Sequence, residues 1–204
     1  MYNENNQINV YIEDKKKNNK FVDGLLDWAE SFVFAVFVVI LIFTFVLRTV
    51  VVVGDSMNPN FTDKDRLIIT HIALSPKKGD VLVLNSEGLD ETIIKRCIGT
   101  EGDTVRIDYN TNTVTVNGDE IENDYINEVM EDRQPAFDQN YAVGEHIYEY
   151  KVPDGKVFVM GDNRNHSSDS RSERVGFIDE SDVLGKVVFR IYPFDSIGKI
   201  SNRL

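Results

Sequence analysis

Val50-Val-Val-Val-Gly-Asp-Ser-Met-Asn-Pro59 follows an apolar run that extends from Phe32 to Leu47 and contains no charged residue. Trp28 before the run and the valines after it lengthen its apolar reach. The glycine and the proline bound a turn that carries one serine, Ser56. This part of the sequence therefore predicts a membrane anchor over 28–53, with a serine-bearing turn immediately behind it.

The apolar run is slightly shorter than the ~20 residues that cross a hydrocarbon core as a helix, but the charged head of Arg48 can reach the interface. A buried core helix and a cleaved signal peptide are the alternatives. The run is long for the apolar part of a signal peptide, and no small-x-small cleavage site follows it. An interfacial helix is excluded because no polar face recurs at helical spacing. We therefore predict a single membrane-spanning helix.

Flanking charge predicts the orientation of this helix. The nearest basic residues are Lys15, Lys16, Lys17 and Lys20 before it and Arg48, Lys64 and Arg66 after it. Because cytoplasmic flanks carry the excess of lysine and arginine, this bias places the N-terminus inside the cell. The beginning of the chain is rich in Asn and Lys, so we expect 1–27 to be a disordered cytosolic tail and 54–204 to form an extracytoplasmic domain.

Composition limits the classes of function. The chain has 204 residues, of which 42% are hydrophobic, so it can build one or two domains with a sizeable core. Lys and Arg number 22 against 34 Asp and Glu, and the net charge of −12 argues against nucleic acid as a partner. A single cysteine excludes an internal disulfide framework. The sequence has no metal-ligand cluster, phosphate-binding loop or dinucleotide fingerprint, so we expect no metal and no cofactor.

The chain beyond the predicted anchor has the pattern of a mainly β fold. Predicted strands lie at 67–74, 81–84, 105–108, 113–116, 157–160 and 187–192. The turn at 109–112 predicts a hairpin, and Asn117-Gly118 marks a further turn. Residues 119–152 are acidic, contain Pro135 and show no sustained period. We expect this segment to be an insertion or a subdomain rather than core.

Ser56 can act as a nucleophile only beside a base, because a serine hydroxyl attacks poorly at neutral pH. The chain has three histidines, and His166 in a polar loop is the one that best suits a triad, whereas His71 is expected on a strand face and His146 in the insertion. Lysine is the other candidate base. Lys95 follows Ile93-Ile94 and precedes Cys97-Ile98, a setting that can desolvate the amine and lower its pKa.

A third segment joins these two residues to a known pattern. This segment reads Val157-Phe-Val-Met-Gly-Asp-Asn-Arg-Asn-His-Ser-Ser-Asp-Ser-Arg-Ser-Glu-Arg-Val-Gly176. Three shorter motifs precede it in the chain: Gly54-x-Ser-Met-x-Pro59, Gly79-Asp80, and Lys95-Arg96-x-Ile-Gly99 with Gly102-Asp103. With these blocks in this order, the chain resembles the bacterial type I signal peptidases, membrane-bound Ser/Lys endopeptidases that remove signal peptides from exported proteins. The resemblance covers most of residues 30–194, and the single anchor is similar to the Gram-positive form.

The resemblance implies a role for each matching position. Ser56 matches the nucleophile, Lys95 the general base, and Ser167 the hydroxyl that orients the lysine. Asp169 and Arg171 match a supporting ion pair, and Arg96, Asp162, Asn163 and Arg164 match other residues of the same shell. Val52, Val53, Met57, Ile93 and Ile94 match pockets for small side chains, although a plain core role fits them nearly as well. The resemblance implies that the partners are secretory preproteins and the lipid bilayer. It also implies a monomer whose helix crosses the cell membrane once.

The chain departs from the family pattern at several positions. Asn60 replaces a usual threonine, Glu101 replaces a common proline, and Cys97 replaces an aliphatic residue. We interpret Cys97 as a small buried side chain. Gly54 stands where Gram-negative relatives have a serine that helps the oxyanion hole, so the Ser56 N–H must contribute and the second donor stays open.

Two other classes of function remain open. One is a different Ser/Lys processing protease, such as a self-cleaving repressor or a pilus-processing peptidase. A repressor would carry a DNA-binding N-terminus, whereas this chain has an apolar run there. The other is a catalytically silent, membrane-anchored paralogue, which should lack Ser56 or Lys95.

Overall fold

The structure is a computed structural model that describes residues 4–71, 75–122, 125–126, 128–132 and 137–200, with the side chains of 4–21, 43 and 45 left out of the description. The chain divides into two compact units, Met1–Val46 and Leu47–Leu204.

The first unit is one α-helix, α1, which spans Glu4–Phe45. Its segment Val22–Ile42 has a mean hydropathy of 2.2, and none of it is buried within the described structure. By length and composition this helix can cross a membrane. The boundaries differ from the expected ones: the helix begins inside the tail that we expected to be disordered, and it ends at Phe45 rather than near Val53.

The second unit is built of β-strands, which confirms the predicted mainly β fold. They are β1 (Leu47–Val51), β2 (Arg66–Thr70), β3 (Val81–Ser86), β4 (Glu91–Gly99), β5 (Thr104–Asp108), β6 (Thr113–Val116), β7 (Asp119–Glu120), β8 (Ala142–Gly144), β9 (Ile147–Lys151), β10 (Lys156–Met160), β11 (Ile178–Asp179), β12 (Val183–Tyr192) and β13 (Gly198–Lys199). Short 3-10 turns at Gln139–Tyr141, Glu180–Asp182 and Phe194–Ser196 lie between some of the strands.

The larger sheet has the strand order β1-β2-β12-β3-β4-β10-β11, with β13 beside β12. Residues Leu47–Val51, which the sequence assigned to the anchor, form β1 because valines favour an extended backbone and β2 offers a partner, with Val50 opposite Leu67. β2 ends at Thr70, four residues before the predicted end, and residues 72–74 lie outside the described part.

The smaller sheet has the order β7-β6-β5-β9-β8. It contains the predicted hairpin, in which Val105 of β5 faces Val116 of β6. Asn117 and Gly118 both have positive φ, as the predicted turn requires.

Residues 119–152 supply three of the five strands of this sheet, so the prediction that they lie outside the core is wrong. Tyr148 and Tyr150 on β9 are buried in one cluster with Ile98 of β4 and Phe158 of β10. Sequence alone hid this role because the strands are short and most of the buried side chains are aromatic.

Two further clusters of buried residues support the larger sheet. One contains Leu82, Leu84, Ile93, Cys97, Val157, Val159, Val175, Ile178 and Val183, and the other contains Val52, Met57, Phe61, Leu67, Ile69, Val81, Val83 and Val187. Cys97 is a small buried side chain, as predicted, and burial raises the pKa of its thiol. Strand β4 therefore has apolar packing on its faces, which fixes the residues that it carries.

Candidate active site

Ser56 lies in the turn that follows β1. Gly54 has a φ of 83°, a left-handed conformation that glycine adopts without strain, and its N–H donates to Asp63 Oδ1 at 3.2 Å. The turn is held from the other side by Asn163, whose N–H donates to Ser56 O at 3.0 Å and whose Nδ2 donates to Asp55 O at 3.1 Å. Two separate parts of the chain therefore fix the position of the serine.

Lys95 lies in the middle of β4, opposite Leu82 of β3, and only 3% of it is exposed. Its Nζ lies 2.7 Å from Ser56 Oγ and 3.0 Å from Ile94 O, and it hydrogen-bonds to both. The structure thus brings together the two residues that the sequence singled out as nucleophile and base.

Burial lowers the pKa of the Lys95 amine, because desolvation disfavours the ammonium form. The nearby carboxylates of Asp169 and Asp162 raise this pKa, and the Arg171 guanidinium lowers it further. Desolvation is the largest of these effects, and the net pKa lies below the ordinary value of 10.5. A lowered pKa increases the fraction of neutral amine that can accept a proton from a hydroxyl.

Asp169 and Arg171 form the predicted ion pair, with Nε 2.8 Å from Oδ1 and both side chains buried. Burial alone would raise the pKa of Asp169, but Arg171 and hydrogen-bond donors lower it overall. One of those donors is the Gly161 N–H, at 3.0 Å from Oδ2. Arg171 also donates to Arg164 O at 2.6 Å. The pair therefore supports the loop at 161–164, which in turn contacts Ser56.

Arg96 and Asp162 form a second buried pair with two parallel hydrogen bonds, Nε to Oδ1 at 2.8 Å and NH2 to Oδ2 at 2.7 Å. Asn60 Nδ2 also donates to Asp162 Oδ2, at 2.9 Å. Arg164 is buried and donates from Nε to Gly161 O at 3.1 Å. All four predicted shell residues, Arg96, Asp162, Asn163 and Arg164, therefore lie around the Ser56 turn and β4.

Ser167 does not make the contact that the resemblance implies. No described residue has hydrogen-bond geometry with its buried Oγ, and Ile94 O accepts the second hydrogen bond of Lys95. The hydroxyl is near enough to the Asp169 carboxylate to contribute to the lowered pKa of that group. The residue is close to the nucleophile, since a Cβ on Gly161 would lie 2.5 Å from Ser56 O and 2.6 Å from Ser167 Cβ.

A groove of about 740 Å³ opens onto Ser56 and Lys95. Its lining includes all five residues predicted to form pockets, namely Val52, Val53, Met57, Ile93 and Ile94. Val52, Met57 and Ile93 also belong to the buried clusters, so they are core residues that line the groove as well. Val53 differs, because 85% of it is exposed and it adds apolar surface at the rim.

The walls of the groove are strand edges. In the described structure β1 pairs with β2 alone. β10 pairs with β4 at Arg96, Cys97 and Gly99, so that edge of 91–95 is left without a strand. The groove can therefore accept an extended peptide that forms main-chain hydrogen bonds with either wall.

The histidines are placed differently from the lysine. His166 is exposed and lines the groove, but the hydrogen bond to Ser56 Oγ comes from Lys95. His71 follows β2 directly rather than lying on it, and His146 Nδ1 lies 2.6 Å from Asp132 Oδ2 within 119–152. The described residues contain no group of three or more His, Cys, Asp or Glu side chains arranged to hold a metal ion.

Sequence reasoning missed three contributors to the site. Gly161 permits the close approach of Ser56 and Ser167. Asn60 bridges Asp162 and the backbone oxygen of Tyr125, and the Tyr125 ring contacts Arg96 and Arg164. Gly161 stood within a quoted motif, which is the one signal that pointed to it. Asn60 appeared only as a departure from a pattern, and Tyr125 lies in the segment taken for an insertion.

Residues 25–192 match the family model described as Signal peptidase, peptidase S26. The chain is 34% identical to Signal peptidase I of Bacillus amyloliquefaciens over 91% of its own length and 97% of that protein. It is 32% identical to Signal peptidase IB of Staphylococcus aureus (strain Mu50 / ATCC 700699), over 83% of its length and 91% of that protein.

A solved structure is also similar: a signal peptidase I from Enterococcus faecalis V583, 27% identical, with a TM-score of 0.42. The match covers 55% of this chain and 97% of that one. The family model matches more than half of the chain, and the curated relatives align over nearly all of it. This chain belongs to the signal peptidase family, peptidase S26.

Proposed function

We propose that this chain is a membrane-anchored serine endopeptidase that removes signal peptides from exported preproteins, with Ser56 as nucleophile and Lys95 as general base. The observation that carries the proposal is the 2.7 Å contact between Lys95 Nζ and Ser56 Oγ, made by a buried amine at the base of an open groove. The names of the relatives, Signal peptidase I and IB, supply the substrate class.

The first step is attack of Ser56 Oγ on the carbonyl carbon of the scissile bond. The hydroxyl proton passes to Nζ along the existing contact as the new C–O bond forms. The Ile94 carbonyl accepts a second hydrogen bond from Nζ and so fixes the direction of its lone pair. Transfer is favoured because the lowered pKa of Lys95 increases the fraction of molecules in which the amine is neutral and can accept the proton.

The negative oxygen of the tetrahedral intermediate needs donors. The Ser56 N–H is available, since among the described residues none accepts a hydrogen bond from it, whereas the Gly54 N–H is already bonded to Asp63. The protonated Lys95 then gives its proton to the departing amine, and the acyl group stays on Ser56 as an ester. Water that has lost a proton to Lys95 hydrolyses the ester and regenerates the enzyme.

Ser167 has a place in the same cycle. An ammonium carries three N–H groups, and Ser56 Oγ and Ile94 O account for two of them. We assign the third to the buried Ser167 hydroxyl, whose oxygen can accept a hydrogen bond while its hydrogen points to the Asp169 carboxylate. This assignment makes Ser167 a residue that orients Lys95 in its protonated state.

The substrate lies extended between the edge of β1 and residues 91–95 of β4. Main-chain hydrogen bonds to these edges supply affinity, and the part of the groove lined by Val52, Met57 and Ile93 admits small side chains beside the cut. Helix α1 anchors the chain in the cell membrane by one span, with the N-terminus in the cytoplasm and the β-rich unit outside. The β-rich unit acts as a monomer on this proposal, since both members of the dyad come from one chain.

The test uses full-length chain in detergent with a purified preprotein. Ser56→Ala and Lys95→Ala should each lower cleavage by at least ~10⁴-fold, because the first variant lacks the nucleophile and the second lacks the base. Arg106→Ala, in the exposed Arg106–Glu149 pair of the smaller sheet, is the matched control and should cleave like the unaltered chain. Cleavage that persists in both dyad variants contradicts the proposal, and sequencing of the new N-terminus identifies the cut.

A further inference from the structure

Tyr125 lies between two buried arginines of the active-site shell. Its ring centroid is 4.7 Å from Arg96 Cζ and 5.6 Å from Arg164 Cζ, both within the range of cation–π attraction. Arg164 NH2 also donates to the Tyr125 hydroxyl at 2.9 Å. The tyrosine is buried, and burial raises the pKa of its hydroxyl, so it remains a neutral acceptor.

The tyrosine is tied to the catalytic turn by its backbone as well. Asn60 Nδ2 lies 2.9 Å from both Tyr125 O and Asp162 Oδ2, so one amide group bridges them. Asp162 holds Arg96, the neighbour of Lys95 on β4, and Asn163 holds Ser56 O. Tyr125 is therefore linked to Lys95 through Arg96, and to Ser56 through Asn60, Asp162 and Asn163.

We propose that Tyr125 is a positioning residue for the Ser56–Lys95 dyad, because its ring packs against Arg96 and Arg164 and holds Arg96 in the orientation that neutralises Asp162. The proposal rests on the proposed function, since the dyad is its target. It assigns part of 119–152 to the active site. Tyr125 touches neither Ser56 nor the substrate groove among the described contacts, so it acts through the arginines.

The charges near Lys95 give the expected direction. Asp162 and Asp169 stabilise its ammonium form and Arg171 destabilises it. Asp162 is balanced by Arg96 at 2.7 Å. Without the Tyr125 ring, Arg96 has more freedom, Asp162 is less well neutralised, and water gains access to the space that the ring leaves. Each of these changes favours protonated Lys95, so activity should require a higher pH.

The experiment measures the pH dependence of kcat/KM for preprotein cleavage by the full-length chain. Tyr125→Met removes the ring, and Tyr125→Phe keeps the ring but loses the hydroxyl. Tyr150→Met is the matched control, because Tyr150 is an equally buried tyrosine whose hydroxyl has no partner in the described structure and which packs in the smaller sheet. Thermal unfolding of each variant separates a loss of stability from a shift of the profile.

We expect Tyr125→Met to move the acidic limb upward by about half a pH unit or more, as loss of a compensating charge does. Tyr125→Phe and Tyr150→Met should keep the limb of the unaltered chain. The proposal is overturned if Tyr125→Met and Tyr150→Met have the same limb, or if Tyr125→Phe shifts it as far as Tyr125→Met. Should Tyr125→Met not fold, a shifted limb in Tyr125→Phe alone overturns it. A failure of the proposed function appears elsewhere, as cleavage that survives Ser56→Ala.

Discussion

Lys95 Nζ lies 2.7 Å from Ser56 Oγ, although 39 positions separate the two residues in the chain. Strand β4 supplies the lysine, and the turn behind β1 supplies the serine. The loop at 161–164 holds that turn through Asn163 and holds β4 through the pair of Asp162 with Arg96. The dyad is thus assembled by three distant segments, each fixed by polar contacts.

The pH–rate profile should follow the amine of Lys95. Its pKa is lowered by burial, and below that pKa the amine holds a proton and cannot accept one from Ser56. We expect kcat/KM to fall as pH decreases through this value, and the midpoint of the limb to lie below 10.5. The limb should persist in His166→Ala, and a limb that disappears in this variant would identify the histidine as the base instead.

The stability of the fold should also depend on this lysine. Between the lowered pKa and 10.5, the unfolded chain binds a proton at Lys95 that the folded chain does not, so the free energy of unfolding rises with pH across that window. Lys95→Met removes the titrating group and keeps the apolar stem. Denaturant unfolding at several pH values should show a smaller rise for Lys95→Met, and equal slopes for the two chains would contradict a lowered pKa.

Gly161→Ala should impair catalysis through geometry. The added Cβ would lie 2.5 Å from Ser56 O and 2.6 Å from Ser167 Cβ, and it has backbone on one side that cannot give way. We expect a loss of about 1–3 kcal/mol of stability, as for overpacking elsewhere, together with a fall in kcat. Gly198→Ala has open space around the new methyl group and serves as the control in thermal unfolding and cleavage assays.

Asp169→Ala should destabilise the fold more than loss of a surface pair does. It leaves the guanidinium of Arg171 buried without a counter-charge, which typically costs ~3–5 kcal/mol. Asp179→Ala breaks the partly exposed Lys156–Asp179 pair at 3.1 Å and should cost less than about 1 kcal/mol. Denaturant midpoints compare the two. Equal costs would mean that Asp169 and Arg171 do not form the buried pair described above.

Local pattern made much of the fold predictable. Alternation around 109–112 gave the hairpin of β5 and β6, and the apolar runs at 81–84 and 157–160 gave β3 and β10. The dyad was predictable because Ser56 and Lys95 each stood in a short motif. No sequence period could show that Val50 and Val51 would leave the apolar segment to pair with β2, since a β-branched run fits a helix in lipid and a strand edge alike.

Other features depend on contacts between distant residues. The closeness of Gly161 to Ser56 and Ser167, and the contact of Tyr125 with Arg96 and Arg164, arise only when the sheets come together. Residues 119–152 lacked a period because their strands are short and irregular, yet they complete the smaller sheet. The residues that the family resemblance named lie around the contact between Ser56 and Lys95. The resemblance also implied a hydrogen bond between Ser167 and Lys95, whereas in the structure Ile94 O accepts the second hydrogen bond of the amine.

The open strand edges that border the groove have a consequence for the range of clients. An enzyme that binds a peptide through main-chain hydrogen bonds recognises groups that every polypeptide has. Only the groove residues that contact side chains can then distinguish one sequence from another. Such an enzyme can serve a whole secretome whose members have little sequence in common, and its selectivity then depends on which chains are delivered to it already extended.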